Sequence, residues 1–276
     1  MPATPVHRTA LVTGGSSGIG EATARLLAAN GFTVYAAARR VDRMRHLKDA
    51  AVNVIALDVT DDESVRRCVR SIVEAEGGID VLVNNAGYGS YGAIEDVPLE
   101  EARRQFEVNM FGLARITQLV LPGMRARGSG TVVNISSMGG KIYTPFGGWY
   151  HATKHALEGW SDCLRLEVEP FGIDVVVVEP GGIKTEWGVI AADNLAQVSG
   201  GGAYGEAARA TAQRMRERYR GDGLSSPQVI AKAVLDAVTA KRPCTRYAVG
   251  YLAKPTILMR RFLSDRVFDR IIRRAA

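Results

Sequence analysis

The fold is decided by Thr9-Ala-Leu-Val-Thr13 and by the stretch Gly14-Gly-Ser-Ser-Gly-Ile-Gly20 that follows it directly. The first stretch is apolar and β-branched, which is typical of a strand buried on both faces. The second permits a tight turn with close backbone approach, and helical spacing continues from it to Asn30. The start of that helix offers N–H groups and positive potential to a pyrophosphate, although the same glycines could merely connect strand and helix. The candidate ligands in this turn are Gly14, Ser16, Ser17, Gly18, Ile19 and Gly20.

Five further apolar runs alternate with segments of helical spacing along the chain. They are residues 32–36, 52–57, 79–83, 131–135 and 173–178. This alternation predicts a parallel sheet with right-handed crossovers and helices on both faces. We therefore expect a single α/β domain over residues 1–276, a Rossmann-type doubly wound sheet. Its ligand crevice is expected beyond the carboxyl ends of the strands.

The last third of the chain departs from this alternation. The pattern loosens over residues 190–205, and we expect residues 186–225 to form a mobile lid over the substrate. Residues 254–276 form a basic C-terminal helical segment whose apolar residues fall on two different helical faces. Ser264 and Asp265 are suited to end one helix and cap the next, which predicts two short helices that pack near the substrate cleft.

The charge of the chain is unevenly distributed. The net charge is +6, and the stretch from Lys241 to Ala276 alone carries 10 Lys and Arg residues against 2 Asp. Basic residues interleaved with apolar ones favour the solvated side of packed helices, with peripheral membrane contact as the alternative. No nucleic-acid-binding motif accompanies these charges, so we expect no nucleic acid partner.

Composition and cysteine usage limit the class of protein. With 276 residues, 46% of them hydrophobic, the chain can bury a substantial core. It has no apolar run long enough for a membrane span, and the start Met1 to Pro5 does not resemble a signal peptide, so a cytoplasmic location is expected. Cys68, Cys163 and Cys244 lack metal-ligand spacing and fall in predicted helix or strand. We expect free thiols and no metal.

The end of the second strand indicates the type of nucleotide. A carboxylate there would bind a ribose 2′-OH, but the sequence reads Ala36-Ala-Ala-Arg39-Arg40. Arginine is suited to a phosphate, so Arg39 favours NADP(H) over NAD(H), unless both arginines are simply solvated. Asp58 and Val59 follow the third strand, where Asp58 could reach an adenine amino group or hold a turn. Asn84-Asn85-Ala86-Gly87 follow the fourth strand and could cross-tie neighbouring loops.

Four residues suit acid–base chemistry on a carbonyl. Tyr150 and Lys154 are spaced to share one helical face, and a cation beside a phenol lowers the pKa of that phenol. Ser137 ends the fifth strand, where its hydroxyl can polarise a carbonyl. Asn109 lies within a predicted helix that starts at Pro98, although asparagine is a mediocre helix former. Each residue taken alone has an ordinary structural explanation as a surface pair, a turn or a helix position.

Taken together and in order, these motifs resemble the short-chain dehydrogenase/reductase family over most of the chain. The resemblance implies that Tyr150 is the general acid/base, that Lys154 lowers its pKa and binds ribose, and that Ser137 orients the carbonyl. It also implies a water-mediated proton relay at Asn109 and direct hydride transfer from the nicotinamide. The resemblance further places Pro180, Gly181, Ile183 and Thr185 beside the nicotinamide, and Asn85, Ala86 and Gly87 beside adenosine. The most similar members are hydroxysteroid and retinol dehydrogenases, and family members are commonly homodimers or homotetramers built through helices matching Leu99–Arg125 and His151–Glu169.

The substrate cleft is expected to be apolar and aromatic. Such a lining suits a hydrophobic ketone or secondary alcohol of steroid-, retinoid- or lipid-like character. The alternative is a catalytically silent regulatory protein that binds NADP(H) without turnover. The candidate lining residues are Met138, Tyr143, Phe146, Trp149 and Trp187, together with Ile142, Val189 and Ile190.

Overall fold

The computed structural model describes residues 8–275 and is built on one seven-stranded parallel sheet. The strands are β1 (Thr9–Thr13), β2 (Thr33–Ala38), β3 (Val52–Ala56), β4 (Val81–Asn84), β5 (Gly130–Ile135), β6 (Ile173–Pro180) and β7 (Arg246–Val249). Their order in the sheet is β3-β2-β1-β4-β5-β6-β7, so the direction of winding reverses between β1 and β4. Val12 of β1 pairs with Ala36 of β2 on one side and with Val83 of β4 on the other. The predicted doubly wound sheet is thus confirmed.

Helices cover both faces of the sheet. One apolar cluster joins the helices at residues 18–29 and 228–239 to one face, and a second joins those at residues 62–76, 112–127 and 148–168 to the other. Strands buried on both faces explain the continuous apolar runs in the sequence. The helices are α1 (Gly18–Ala29), α2 (Asp62–Glu76), α3 (Leu99–Phe106), α4 (Gly112–Arg127), α5 (Gly148–Val168), α6 (Trp187–Ser199), α7 (Gly205–Arg220), α8 (Gln228–Thr239), α9 (Ala253–Phe262) and α10 (Asp265–Ala275).

The six predicted strands are present with ends shifted by at most two residues, and β7 was not predicted. β7 is short, follows the turn at Pro243, and its four residues are only partly buried, so it carries no apolar run. Cys244 precedes this strand in a loop rather than in a helix or strand, which corrects its expected placement. Cys68, Cys163 and Cys244 are free.

The predicted helix from Pro98 is interrupted by one π-helical turn. Pro98 caps α3, and residues Glu107–Phe111 form the π turn before α4 continues. Asn109 lies in that turn and is buried. A π turn widens the helix locally and is frequent at functional sites.

The region predicted to loosen after Pro180 is mostly helical. Residues 187–199 and 205–220 form α6 and α7, which pack against each other, so the expected loose segment is confined to a short connection. The two predicted C-terminal helices are present as α9 and α10. No helix within residues 8–275 has the length and apolar character needed to cross a membrane. The expectations for Met1 to Pro5 and for Ala276 lie outside the described residues.

Candidate active site

The glycine turn after β1 is tied to the loop after β4. Thr13 Oγ1 accepts hydrogen bonds from the backbone N–H groups of Asn85 and Ala86, both at 3.0 Å. Asn85 Nδ2 donates to the carbonyl oxygen of Thr13 at 2.9 Å. Gly14 has φ +67°, and a Cβ there would lie 2.8 Å from Asn85 Nδ2. The two loops therefore meet closely enough that only glycine fits, and the predicted cross-tie is present.

The start of α1 is available to a ligand. Ser17 is its N-cap residue, yet its side chain makes no capping hydrogen bond. Gly18 has φ +55° and lies against Thr185, so the turn after β1 and the segment after β6 face each other. Backbone N–H groups at a helix start, with positive potential, fit a pyrophosphate.

One cavity of about 860 Å³ runs along the carboxyl ends of the strands. Of the predicted cofactor residues only Gly20 lies outside its lining. A Cβ at Gly20 would overlap the carbonyl oxygen of Gly14, so this glycine allows helix and turn to pack rather than facing a ligand. The predicted residues in the lining are Gly14, Ser16, Ser17, Gly18, Ile19, Arg39, Asp58, Val59, Asn85, Ala86, Gly87, Tyr150, Lys154, Pro180, Gly181, Ile183 and Thr185.

The two loops after β2 and β3 meet at Arg39 and Asp58. Arg39 is exposed and belongs to the cavity lining. Asp58 Oδ1 accepts hydrogen bonds from Thr60 N at 3.0 Å and Thr60 Oγ1 at 2.7 Å. Burial raises the pKa of Asp58, but the bonds from Thr60 and the charge of Arg39 outweigh it and hold that pKa below its usual value. Asp58 therefore holds a turn while it also faces the cavity.

Ser137 and Tyr150 bring two hydroxyl groups together in the cavity lining. Ser137 caps the short 3₁₀ turn after β5, where its Oγ accepts from Gly139 N at 3.0 Å. A hydrogen bond from Ser137 to the Tyr150 oxygen lowers the pKa of Tyr150, but burial raises it more. The net pKa of Tyr150 lies above its ordinary value, which is opposite to the direction expected from Lys154. A neutral phenol at pH 7 is a proton donor.

Lys154 lies one turn after Tyr150 on α5 and is buried. Its Nζ donates to the carbonyl oxygen of Ile135 at 2.8 Å. Burial lowers the pKa of Lys154 to about 8, and the negative charge of Glu158 opposes that shift. The lysine is thus held at the end of β5, next to the carboxyl ends of the central strands.

Asn109 positions the loop after β4 rather than lining the cavity. Its Oδ1 accepts from Tyr88 N at 3.0 Å and its Nδ2 donates to Tyr88 O at 2.8 Å. Nδ2 also reaches Thr153 Oγ1 at 3.2 Å, which links this loop to α5. The side chain therefore holds two walls of the site together.

His151 is a site residue that the sequence analysis did not identify. Its Nδ1 bonds Gly139 O at 2.9 Å, and its Nε2 accepts from Thr144 N at 3.0 Å. Burial lowers the pKa of His151. The ring therefore fixes the loop from Gly139 to Thr144 on α5. The only sequence signal that could have identified His151 is that it directly follows Tyr150.

The end of the cavity around Tyr150 has an aromatic wall. The ring of Tyr150 lies 5.0 Å from that of Trp187 and 5.9 Å from that of Tyr91. Tyr219 of α7 lies 6.4 Å from Trp187 and also lines the cavity. Tyr91 and Tyr219 carried no local signal in the sequence, because a loop and a polar helix bring them here from distant positions.

The predicted substrate residues divide into two groups. Met138 and Trp187 line the cavity, as do Ile142 and Ile190. The other four lie outside the lining, which corrects their expected placement. Tyr143 donates to Asp269 at 2.8 Å, Phe146 packs in the cluster of Tyr91, Trp149 packs edge-on against Phe106, and Val189 lies in α6.

The order of these motifs and the sheet agree with comparisons to known proteins. The model of the short chain dehydrogenases matches residues 8–194. The chain belongs to the short-chain dehydrogenase family. It is an oxidoreductase of that family with the doubly wound fold of its members.

Two curated relatives of this short-chain dehydrogenase have named activities. A 3-ketodihydrosphingosine reductase of Bacteroides thetaiotaomicron is 36% identical over 88% of this chain and 88% of its own length. An NADPH-dependent 3-dehydrocapnine reductase of Ornithobacterium rhinotracheale is 36% identical over 96% of this chain and 95% of its own. The crystal structure of a short-chain dehydrogenase from Streptomyces avermitilis superposes with TM-score 0.80 at 38% identity, covering 92% of each chain.

Proposed function

We propose that this short-chain dehydrogenase transfers hydride between NADP(H) and the carbonyl or secondary alcohol carbon of a hydrophobic, lipid-like substrate. One observation carries the proposal. A single cavity joins the glycine turn and Arg39 at one end to Ser137, Tyr150 and Trp187 at the other. A nucleotide and an apolar carbonyl compound could therefore meet in it.

The residues present fit a dinucleotide. The start of α1, where Ser17 makes no capping hydrogen bond, would hold the pyrophosphate. Arg39 would bind a 2′-phosphate, and no carboxylate stands at the end of β2 to repel one. The NADPH dependence of the relative from Ornithobacterium rhinotracheale supports this choice.

A bound reduced nicotinamide supplies the hydride. In the reductive direction Ser137 donates a hydrogen bond to the carbonyl oxygen and so stabilises its developing negative charge. Tyr150, neutral because burial raises its pKa, gives its proton to the same oxygen. Lys154, fixed to Ile135 O, would bind the ribose and hold positive charge near the phenol. Asn109 would keep the proton path in place through Tyr88 and Thr153.

The chemistry of the substrate follows from the wall that faces Tyr150. Met138, Ile142 and Trp187 supply apolar and aromatic surface. One relative reduces 3-ketodihydrosphingosine, a long-chain ketone, which supports the lipid-like option over the steroid and retinoid options. We place residues 186–225 over this end of the cavity as a substrate lid, since α6 and α7 contribute to its lining.

An oligomer through the long helices is part of the proposal. Phe111 and Leu119 are exposed apolar residues on the helical stretch 99–127, and Leu166 is exposed on α5. Such residues are suited to an isologous interface of a homodimer or homotetramer. Sedimentation of the wild-type chain and of Leu166→Glu tests this. A monomeric wild type contradicts it.

A panel of ketones assayed by NADPH absorbance tests the function. We expect oxidation of NADPH with long-chain 3-oxo compounds and little with charged sugar phosphates. NADPH binding without turnover on the whole panel would instead identify the silent regulatory protein.

A further inference from the structure

The C-terminal helices α9 and α10 are docked on the protein by part of their apolar surface only. Phe268 and Ile272 are buried against Ile142, next to the loop after β5. Met259 and Leu263 pack against the same cluster. These contacts agree with the expected packing of two short helices near the cleft, and they fix the orientation of both.

A neighbouring strip of α9 exposes a second set of apolar side chains. Leu258 is 51% exposed and Phe262 is 77% exposed. Pro255 is also exposed and shares their helical face by its spacing. Leu252, just before the helix, is 48% exposed and adopts φ +58°, a left-handed conformation that leucine rarely takes. We call these four residues the C-terminal apolar face.

Cations border this face. Lys254 and Arg261 are exposed on the adjoining strip of α9. On α10 the exposed side chains include Arg266 and a further set of arginines, whereas Asp265 is engaged by Arg260 at 2.9 Å. The further exposed arginines of α10 are Arg270, Arg273 and Arg274. The segment therefore combines exposed apolar groups with an excess of positive charge.

We propose that the C-terminal apolar face docks peripherally on the surface of an anionic lipid bilayer. Apolar side chains flanked by Lys and Arg bind such surfaces by entering the boundary of the acyl chains while the cations meet lipid phosphates. A second copy of the chain would bring like charges together around Lys254 and Arg261. A nucleic acid would attract the cations but would leave Leu252 and Leu258 in water.

The C-terminal apolar face lies near the cavity, which relates the docking to access of an apolar substrate. Helix α9 packs against the turn Met138–Gly140, and Met138 belongs to the cavity lining. Docking would bring the substrate end of the enzyme towards the lipid phase, in which an apolar carbonyl compound is concentrated. The docking itself does not depend on the proposed function.

Vesicle co-sedimentation of the full chain tests the proposal. The probes are vesicles of phosphatidylcholine alone and vesicles with about one third phosphatidylserine. We expect binding to the anionic vesicles that weakens with added salt. The variant Leu258→Ser/Phe262→Ser should lose at least about tenfold in partitioning, since both side chains leave the lipid. The variant Lys254→Gln/Arg261→Gln should lose about 25-fold in partitioning, since each cation contributes roughly fivefold.

Matched variants separate the face from general surface effects. Ile94 is 67% exposed elsewhere on the molecule, and Ile94→Ser should bind vesicles as the wild type does. Arg66→Gln/Arg67→Gln removes two exposed charges from α2 and should also leave binding unchanged. Urea unfolding of every variant verifies that each is folded. The proposal is overturned if the wild type does not bind the vesicles or if the Ile94 variant loses as much binding as the variants of the face. It is also overturned if the chain self-associates through this face or binds duplex DNA more tightly than the vesicles.

Discussion

The two ends of the cavity are built in different ways. The end proposed to bind the nucleotide, called the nucleotide end below, consists of short loops that each follow a strand directly, as at Gly14, Arg39 and Asn85. The substrate end is assembled from α5, α6 and α7, so that Tyr150, Trp187 and Tyr219 meet from distant parts of the chain. Local motifs therefore encode the first end, whereas packing between remote helices shapes the second.

The largest effect is expected at the point where the two ends meet. Tyr150→Phe removes the proton donor but keeps the ring that packs on Trp187, so kcat/KM for ketone reduction should fall by about 10³. The dissociation constant for NADPH should change little. Steady-state kinetics and fluorescence titration measure the two quantities.

Tyr143→Phe is the matched control for that variant. Its hydroxyl bonds Asp269 outside the cavity lining, so kcat/KM should stay within about threefold. Equal losses in the two variants would show that the phenol of Tyr150 has no special part in the chemistry.

The next largest effect is expected on stability, because the glycine turn packs tightly against the loop after β4. Gly14→Ala places a Cβ 2.8 Å from Asn85 Nδ2 in a left-handed backbone conformation, so the free energy of unfolding should fall by about 3 kcal/mol. Urea denaturation gives this value.

Gly31 provides the comparison for Gly14. It also has positive φ, at +84°, but a Cβ there would meet no atom within 4 Å. Gly31→Ala should therefore cost only the backbone strain of about 1–2 kcal/mol. If both alanines cost the same, the close approach of the two loops does not constrain the turn.

A smaller effect concerns the choice of nucleotide. Arg39→Ala should reduce the preference for NADPH over NADH by about tenfold to a hundredfold, because a charged hydrogen bond to the 2′-phosphate is lost. Arg45→Ala, in the same segment but outside the cavity lining, should keep the wild-type preference. Equal use of NADPH and NADH by the wild type would contradict the assignment of Arg39 to the 2′-phosphate.

The smallest effect lies behind the substrate end, where buried charges tie distant segments together. Burial, followed by the charge of Glu158, raises the pKa of Glu179 from 4.5 to about 7. Between these values the folded state binds more protons than the unfolded state, so stability falls as pH rises. Glu179→Gln removes this titrating group, so the decrease in the free energy of unfolding over this pH range should be smaller by on the order of 1 kcal/mol.

Urea denaturation at pH 4.5, 6 and 7.5 measures this difference. The exposed Glu167→Gln should follow the wild type at every pH. A Glu179→Gln curve parallel to the wild type would mean that Glu179 ionises normally in the folded protein.

The sequence predicted the fold, and it identified the loops that line the proposed nucleotide end, because both have local signals. An apolar run followed by Gly14 to Gly20 identifies both a strand and its turn. β7 was not predicted, because Arg246 and its neighbours form a half-buried edge strand without an apolar run. Its place depends on Arg246, which reaches Glu158 at 3.1 Å and Asp162 at 2.7 Å on α5. No pattern within four residues encodes such a contact.

The substrate end was predicted less completely for the same reason. Tyr143 and Trp149 are close to Tyr150 in sequence, but Tyr143 bonds Asp269 and Trp149 packs against Phe106. Phe146 packs in the same cluster as Tyr150 without lining the cavity. Tyr219 reaches the cavity because α7 packs on α6, a contact between two lid helices. The direction of the pKa shift of Tyr150 likewise depends on burial, which the spacing to Lys154 does not reveal.

Transfer of deuterium tests the central claim most directly. The wild-type enzyme is given NADPH labelled with deuterium at C4 and a long-chain 3-oxo compound, and the product is analysed by mass spectrometry and NMR. We predict deuterium on the carbinol carbon from one face of the nicotinamide, at a rate about 10³-fold lower in Tyr150→Phe. A product without that label, or a rate that the variant leaves unchanged, contradicts the account.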